Sequence, residues 1–246
     1  MTGEALLAAL ESGAARAARR AGDGGWVCDP AVKAGILELF ATGAVVPQGE
    51  VSYLEFRDKH TLPARKRLGD VRVVPGGTSV RRGSHLGRGV VLMPPCYVNV
   101  GAFVGADSMI DSHALVGSCA QVGERVHVGA GALLGGVLEP VGARPVVVED
   151  DAFIGGSVGL FEGVVIGARA VIAPGTILTS GTRVFDLVEE RELDGQDIPP
   201  GAVVVPGTRP ATGWGATQGL SLACALIVKY RDARTDAATT LEAALR

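Results

Sequence analysis

Between Val98 and Val128 the chain reads VNVGAFVGADSMIDSHALVGSCAQVGERVHV, and every sixth residue is aliphatic: Val98, Val104, Ile110, Val116, Val122 and Val128. Followed outward, the ladder starts at Val80, passes Leu86 and Leu92, and reaches Leu134 without a miss. After one interruption it resumes at Ile154 and continues through Leu160, Ile166, Ile172, Leu178 and Val184. With Val, Ile and Leu at roughly a quarter to a third of positions, ten consecutive hits would arise by chance on the order of once in 10^5 to 10^6 trials, so the period is structural. Six residues match neither the 3.6-residue return of a helix nor the alternation of a half-buried strand, so the unit is a short strand plus a corner. Three such strands close a triangular coil of about 18 residues, with the aliphatic side chains inside and the coils stacked at roughly 4.8 Å.

The residue after each aliphatic is often glycine (Gly87, Gly105, Gly117, Gly123, Gly129, Gly135, Gly155, Gly167), as expected where a tight corner tolerates little beyond a hydrogen. Hexapeptide repeats of this pattern resemble the left-handed parallel β-helix; the handedness is implied by that resemblance and runs against the usual crossover preference. The expected fold is mainly β. A small mixed α/β domain over 1–70 precedes a left-handed parallel β-helix over 71–186, and strands with a short helix follow over 187–246. Leu134 and Ile154 lie 20 positions apart, two more than one coil, so Gly136 to Glu149 is expected to leave the prism wall.

The 246 residues carry 36 glycines, which the corners explain without invoking disorder. A net charge of -3 gives no basic footprint, so nucleic acid is not an expected partner. The opening Met1-Thr2-Gly3-Glu4 lacks a basic region followed by a long apolar stretch, no later segment has the roughly 20 apolar residues of a membrane span, and the chain reads as cytoplasmic. Cys28, Cys96, Cys119 and Cys224 have no CxxC spacing, which argues for reduced thiols and against a zinc site.

Residues 4–11 are expected to form a short helix ending at Ser12-Gly13, whereas 15–20 suits either helix or strand. Gly22-Asp23-Gly24-Gly25 signals a turn before an extended Trp26-Val27. Asp29-Pro30 reads as an N-cap plus first-turn proline for a helix over 31–41, with Val32, Ile36, Leu37 and Phe40 on one face and Gly43 as its stop. Past Val184, a charged loop over 189–200 leads to a strand at Val203-Val204-Val205 and an apolar run from Leu220 to Tyr230; Ala237 to Leu245 suits a short helix.

Several blocks together resemble the 2,3,4,5-tetrahydropyridine-2,6-dicarboxylate N-succinyltransferases of lysine biosynthesis. They are Arg72-Val73-Val74-Pro75, Val91-Leu92-Met93-Pro94, Tyr97-Val98-Asn99, Gly117-Ser118-Cys119-Ala120-Gln121, Gly135-Gly136-Val137-Leu138-Glu139-Pro140, Val148-Glu149-Asp150, Glu162-Gly163-Val164 and Ala225 to Lys229. The resemblance covers roughly residues 26–246. It implies a homotrimer with active sites between neighbouring prisms, succinyl-CoA as co-substrate with no permanently bound cofactor, and a cyclic imine dicarboxylate whose opened form offers an amine. It places the substrate-gripping arginine on Arg72 and the catalytic aspartate on Asp111. Both types suit the chemistry: a guanidinium grips a carboxylate through two hydrogen bonds, and a carboxylate can orient an amine or take its proton. Backbone N–H groups at the glycine-rich corners are candidate donors to the developing oxyanion.

The chain also departs from the family pattern. Where many members carry Ala-Arg-Ser-Glu after Phe-Ile-Gly, and that glutamate is counted as catalytic, this chain has Gly156, Ser157, Val158 and Gly159. Asp-Thr-Trp becomes Asp111-Ser112-His113, and Pro95 is an extra residue. Glu162 is a candidate replacement carboxylate. His113, taken to share a strand face with Asp111, is a candidate accessory base beside a structural reading, while His85 and His127 read as structural. Cys119 reads as a small buried thiol, because direct transfer from CoA needs no nucleophile. Arg183 suits either a substrate carboxylate or CoA phosphate, or a surface ion pair. The groove for the pantetheine arm is expected near Ala173, Gly175 and Thr179, with Lys229 toward the phosphates. Three functions follow: the succinyltransferase, a relative using another amino-acid acceptor or acetyl-CoA, and a non-catalytic scaffold or sensor.

Overall fold

The computed structural model describes residues 3–22, 24–51 and 54–232. The aliphatic ladder builds three walls of two-residue strands, each strand pairing in parallel with the one 18 residues away except at the first pair, where the spacing is 19, and across the excursions. Wall I stacks Arg72–Val73, Val91–Leu92, Met109–Ile110, His127–Val128, Phe153–Ile154 and Val171–Ile172. Wall II stacks Ser79–Val80, Tyr97–Val98, Leu115–Val116, Leu133–Leu134, Gly159–Leu160 and Ile177–Leu178. Wall III stacks His85–Leu86, Phe103–Val104, Gln121–Val122, Val147–Val148 and Val165–Ile166. Inside, Leu92, Val98, Val104, Ile110, Val116, Val122, Val128, Leu134, Ile154, Leu160, Ile166 and Ile172 are fully buried. Each contributes about 1.5–3 kcal/mol of transfer free energy, and this column is what holds two-residue strands together.

The phase of the ladder needs two corrections. Val148, not Ile154, is where it resumes, because Gln121–Val122 pairs with Val147–Val148. The excursion therefore runs from Leu134 to Val147 and adds eight residues to one six-residue step (148 − 134 = 14, less 6). At the other end Val184 is buried but off the stack. Its strand, Val184–Asp186, pairs with Ser221–Tyr230, while Ile198 bridges Ile166 and Val204 pairs with Ile172. The prism thus continues past residue 186 to Val204, six positions beyond Ile198, and the strands Ala202–Pro210 and Ser221–Tyr230 leave it as a long antiparallel hairpin. The expected helix over 237–245 lies outside the described residues.

Glycine's role at the corners is also corrected. The left-handed residue is the third after each inward aliphatic, as at Gly89, Gly101 and Gly131, or Asp107, His113, Cys119 and Ser157. The glycine directly after the aliphatic serves close stacking. A Cβ on Gly105 would meet the Gly123 carbonyl carbon at 2.6 Å, and one on Gly155 the Pro174 nitrogen at 2.6 Å.

The helices and first hairpin of the N-terminal region lie against wall III and the edge between walls II and III, and Ala64 and Arg65 meet Arg81 and Val80 of wall II. Helix α1 (Gly3–Ser12) buries Leu6, Leu7 and Leu10; strands β1 (Ala18–Arg20) and β2 (Trp26–Cys28) form an antiparallel hairpin that settles the ambiguous segment as strand. Helix α2 spans Pro30–Thr42, and Asp29 accepts N–H bonds from Ala31 and Val32 at 3.0 and 3.2 Å. Its buried stripe is Val32, Lys33, Gly35, Ile36 and Leu39, with Leu37 and Phe40 only half-buried, because it fits between α1 and the prism edge residues Val100 and Cys119. Strands β3 (Val45–Val51) and β4 (Leu54–Lys59) form a second hairpin. Across wall III, Arg16 stacks on Phe103 at 3.7 Å and bonds Gln121 at 2.9 Å, and Trp26 bonds Glu149 at 2.8 Å. Wall III is therefore covered; on wall I the outward Val91 and Met109 are also buried, whereas wall II leaves Leu133 and Ile177 exposed. Among the described residues no helix is long and apolar enough to cross a membrane.

Candidate functional site

Asp111 ends a wall I strand at the edge toward wall II, directly after the inward Ile110. Its side chain is 30% exposed. Oδ1 accepts the Ser112 N–H at 2.7 Å, and Oδ2 lies 3.7 Å from Nε2 of His127 on the next coil. Arg72 is exposed on the same wall, in register with Val91 and, through it, Met109. Two coil steps and two residues separate Arg72 from Asp111, about 12 Å between Cα atoms at ordinary strand spacing. A guanidinium and a carboxylate on one wall at that separation suit a bifunctional small molecule.

The edge that carries Asp111 continues upward through Gly129-Ala130-Gly131, Gly155-Gly156-Ser157 and Ala173-Pro174-Gly175. Its backbone is largely engaged. The first corner position donates to the coil above (Asp111 to Val128, Gly129 to Ile154), and the third donates to the coil below (Gly131 to Ser112, Ser157 to Ala130, Gly175 to Gly156). Among the described residues the second-position N–H groups of Ala130 and Gly156 have no bond within the chain, which narrows the candidate oxyanion donors to these two. His113 is the left-handed residue of its corner, φ 63°, exposed, with its N–H on the Pro95 carbonyl at 2.6 Å. It does not share a strand face with Asp111 as alternation suggested, because the strand stops at Ile110.

The other candidates divide between places. Ala173 and Gly175 stand on the Asp111 edge, and Gly175 has open space around it. Thr179 lies past wall II, on the edge toward wall III, bonded to Thr182. There it joins Glu162, Phe161, Arg144, Glu139 and Pro140 around a groove of about 900 Å³ under the excursion. Glu162 therefore occupies a different edge from Asp111. The hydroxyl and backbone N–H of Ser180 hold its carboxyl below the ordinary range. Arg183 is paired with Glu192, and Lys229 sits 3.2 Å from Asp232, both toward the hairpin end of the molecule. Cys119 is fully buried against α2, and burial pushes its thiol up to about 12.

Two residues escaped the sequence reading. The sequence reads His127 as structural because a single histidine carries no periodic signal, and the structure places its Nε2 3.7 Å from Oδ2 of Asp111. Phe161 sits where the two coils below have Gly117 and Gly135 and the coil above has Thr179, and its ring lies over Gly135 and Gly159. A Cβ on Gly159 would meet that ring at 2.5 Å and Ile177 at 2.8 Å. The lost glutamate at this position is thus matched by a filled space.

The family model described as "Hexapeptide repeat of succinyl-transferase" matches residues 145–180. The chain is 41% identical over 248 residues to the 2,3,4,5-tetrahydropyridine-2,6-dicarboxylate N-succinyltransferase of Polynucleobacter asymbioticus, covering 98% of this chain and 88% of that protein. It is 40% identical over 252 residues to the protein of the same name from Nitrobacter winogradskyi, covering 98% and 87%. In fold it is similar to a Campylobacter jejuni crystal structure described as a 2,3,4,5-tetrahydropyridine-2-carboxylate N-succinyltransferase, with a TM-score of 0.56, 17% identity, and coverage of 92% of this chain and 63% of that one. With identity sustained along nearly its whole length, and with the ladder and corner geometry described above, the chain belongs to the 2,3,4,5-tetrahydropyridine-2,6-dicarboxylate N-succinyltransferase family.

Proposed function

We propose that this protein transfers a succinyl group from succinyl-CoA to the amine of ring-opened tetrahydrodipicolinate, giving N-succinyl-2-amino-6-ketopimelate and free CoA. The observation that carries this reading is Asp111, half-open on an edge of the same wall that presents Arg72. Arg72 grips one acceptor carboxylate through two hydrogen bonds. The amine nitrogen attacks the thioester carbonyl carbon, the carbon–sulfur bond breaks, and Asp111 takes the amine proton, which ends on the departing CoA sulfur. The N–H groups of Ala130 and Gly156, which make no bond within the chain, are the donors for the carbonyl oxygen as it gains charge. The acyl-CoA arm follows Ala173 and Gly175, with Thr179 and Lys229 toward its distal part. Arg183 reaches a phosphate only by leaving Glu192. The protein works as a cytoplasmic homotrimer, with each site at the junction of two prisms.

A second reading is favoured by Phe161, which fills the space beside Gly159: the same chemistry with another amino-acid acceptor, or with acetyl-CoA. One experiment separates the two and tests both. Thiol release is followed with succinyl-CoA and acetyl-CoA against tetrahydrodipicolinate and a panel of amino acids. Release that requires succinyl-CoA and the cyclic dicarboxylate supports the first reading, a different pair supports the second, and no acceptor-dependent release overturns both. Asp111→Asn is expected to lower kcat by roughly 10²- to 10⁴-fold.

A further inference from the structure

We propose that His127 is the positioning residue for Asp111, a role that rests on the assignment of Asp111 to proton transfer. The outward column of wall I shows why. From the second coil upward it reads Val91, Met109, His127, Phe153, Val171 and Val203, apolar at every step but one. Packing on this wall favours apolar side chains, and a polar group taken out of water costs free energy unless it gains a partner. The exception falls on the coil next to Asp111, where Nε2 lies 3.7 Å from Oδ2.

The ring is fixed in place. It meets Phe153 edge-on, with centroids 5.0 Å apart and planes at 78°, and both of its nitrogens are buried. A substrate amine therefore reaches the half-exposed carboxylate and not the imidazole, which makes Asp111 the catalytic residue and His127 the group behind it. Asp111 is held at Oδ1 by the Ser112 N–H, while its Oδ2 faces the imidazole at 3.7 Å, a charge contact longer than a hydrogen bond. With Oδ1 bonded and the fixed ring beside Oδ2, the carboxylate has little room to turn. Of the charged or titratable groups around the pair, the Asp111 carboxylate faces the ring, and the buried Cys96 thiol is near enough to Asp111 to feel its charge; Met109 and Phe153, stacked below and above His127, carry no charge.

The test uses His127→Phe, which keeps an aromatic ring against Phe153 and removes Nε2, and His127→Gln, which keeps a donor. His127→Phe is expected to lower kcat about 10- to 100-fold with KM for the acyl-CoA within about twofold, and His127→Gln to recover most of that loss. In the Asp111→Asn background, single-turnover rates are expected to change less than about twofold on adding His127→Phe, because the two act as a unit. Unchanged kcat in His127→Phe, or a full multiplicative loss in the double variant, overturns the proposal. An arm independent of turnover follows the His127 ring signals by NMR: Asp111→Asn should lower the pH midpoint of their titration, since a carboxylate at this distance favours the charged ring. An unmoved midpoint overturns the proposal even if the protein is active. Absent turnover with a shifted midpoint leaves the pairing standing and removes only the assigned reaction.

Discussion

At the scale of single residues, the space beside Gly159 is already filled. Phe161 and Ile177 occupy the volume into which any side chain at 159 would grow, so restoring a glutamate there is a steric problem before it is a chemical one. Gly159→Glu alone is expected to destabilise the fold by about 1–3 kcal/mol through overpacking. The double variant Gly159→Glu/Phe161→Ala should recover much of that loss in thermal unfolding, and its acceptor preference in the thiol-release assay should move away from that of the parent. A double variant as unstable as the single one would show that Phe161 is not the obstacle. Cys119 carries the opposite expectation. Its thiol is buried, pushed up to about 12 and packed against the N-terminal helices, so it is held as a thiol and not as a nucleophile. Cys119→Ser should keep kcat within about threefold, and a thiol reagent should label the half-buried Cys28 well before Cys119 in the folded protein.

Elements were legible in the sequence wherever a local rule acts alone. Asp29-Pro30 and Gly43 bound α2 because capping chemistry is decided within one turn, and the prism follows from a period that each coil repeats. What could not be read depended on contacts between distant parts. Val148 was passed over because an eight-residue insertion looks like a two-residue slip when the count is made from Leu134 to Ile154. Val184 fell into phase by coincidence, and only its pairing with Ala225 shows that it has left the stack. The Asp111–His127 contact joins residues sixteen apart in sequence, and the position of Phe161 over Gly159 is a matter of volume, which carries no periodic mark. The attachment of α1 was hidden for the same reason, and it makes a prediction. Arg82 bonds Glu11 at 2.9 Å and also pairs with Glu4. Burial alone would raise the Glu11 carboxyl, but Arg82 and the Gly83 N–H outweigh it and hold it below its ordinary value near 4.5. A depressed carboxyl contributes stability above that ordinary value and loses it as pH falls through the lowered one. Amide exchange in α1 should therefore accelerate, relative to the prism, on going from pH 6 to below about 4 after correction for intrinsic rates, and Glu11→Gln should remove that pH dependence. A parallel change in the variant would place the effect elsewhere.

For the whole molecule, the decisive feature is the face left uncovered between the two functional edges. Wall III is closed by the N-terminal domain, whereas wall II turns Tyr97, Leu115, Leu133 and Ile177 outward, with Leu133 41% and Ile177 51% exposed. A column of large apolar side chains on an open wall suits contact with another copy. The two groups of candidate residues flank that wall: Asp111 with Ala173 and Gly175 on one side, Glu162 with Thr179 and the 900 Å³ groove on the other. In a closed ring of three, one edge of each prism can meet the opposite edge of its neighbour, so the residues that one chain holds apart would serve one site between chains. Leu133→Glu/Ile177→Glu should accordingly sediment as a monomer and lose turnover although Asp111 and Arg72 are untouched. Subunit mixing makes the sharper test. Asp111→Asn disables one edge, Thr179→Trp obstructs the other, and each homotrimer should be inactive. Co-expressed in equal amounts, they should regain about a quarter of the parent activity, since an intact site needs one kind of subunit on each side and each is met with a chance of about one half. Mixed trimers that stay inactive would mean that both edges of the same chain serve each site, and that wall II binds a partner without completing the chemistry.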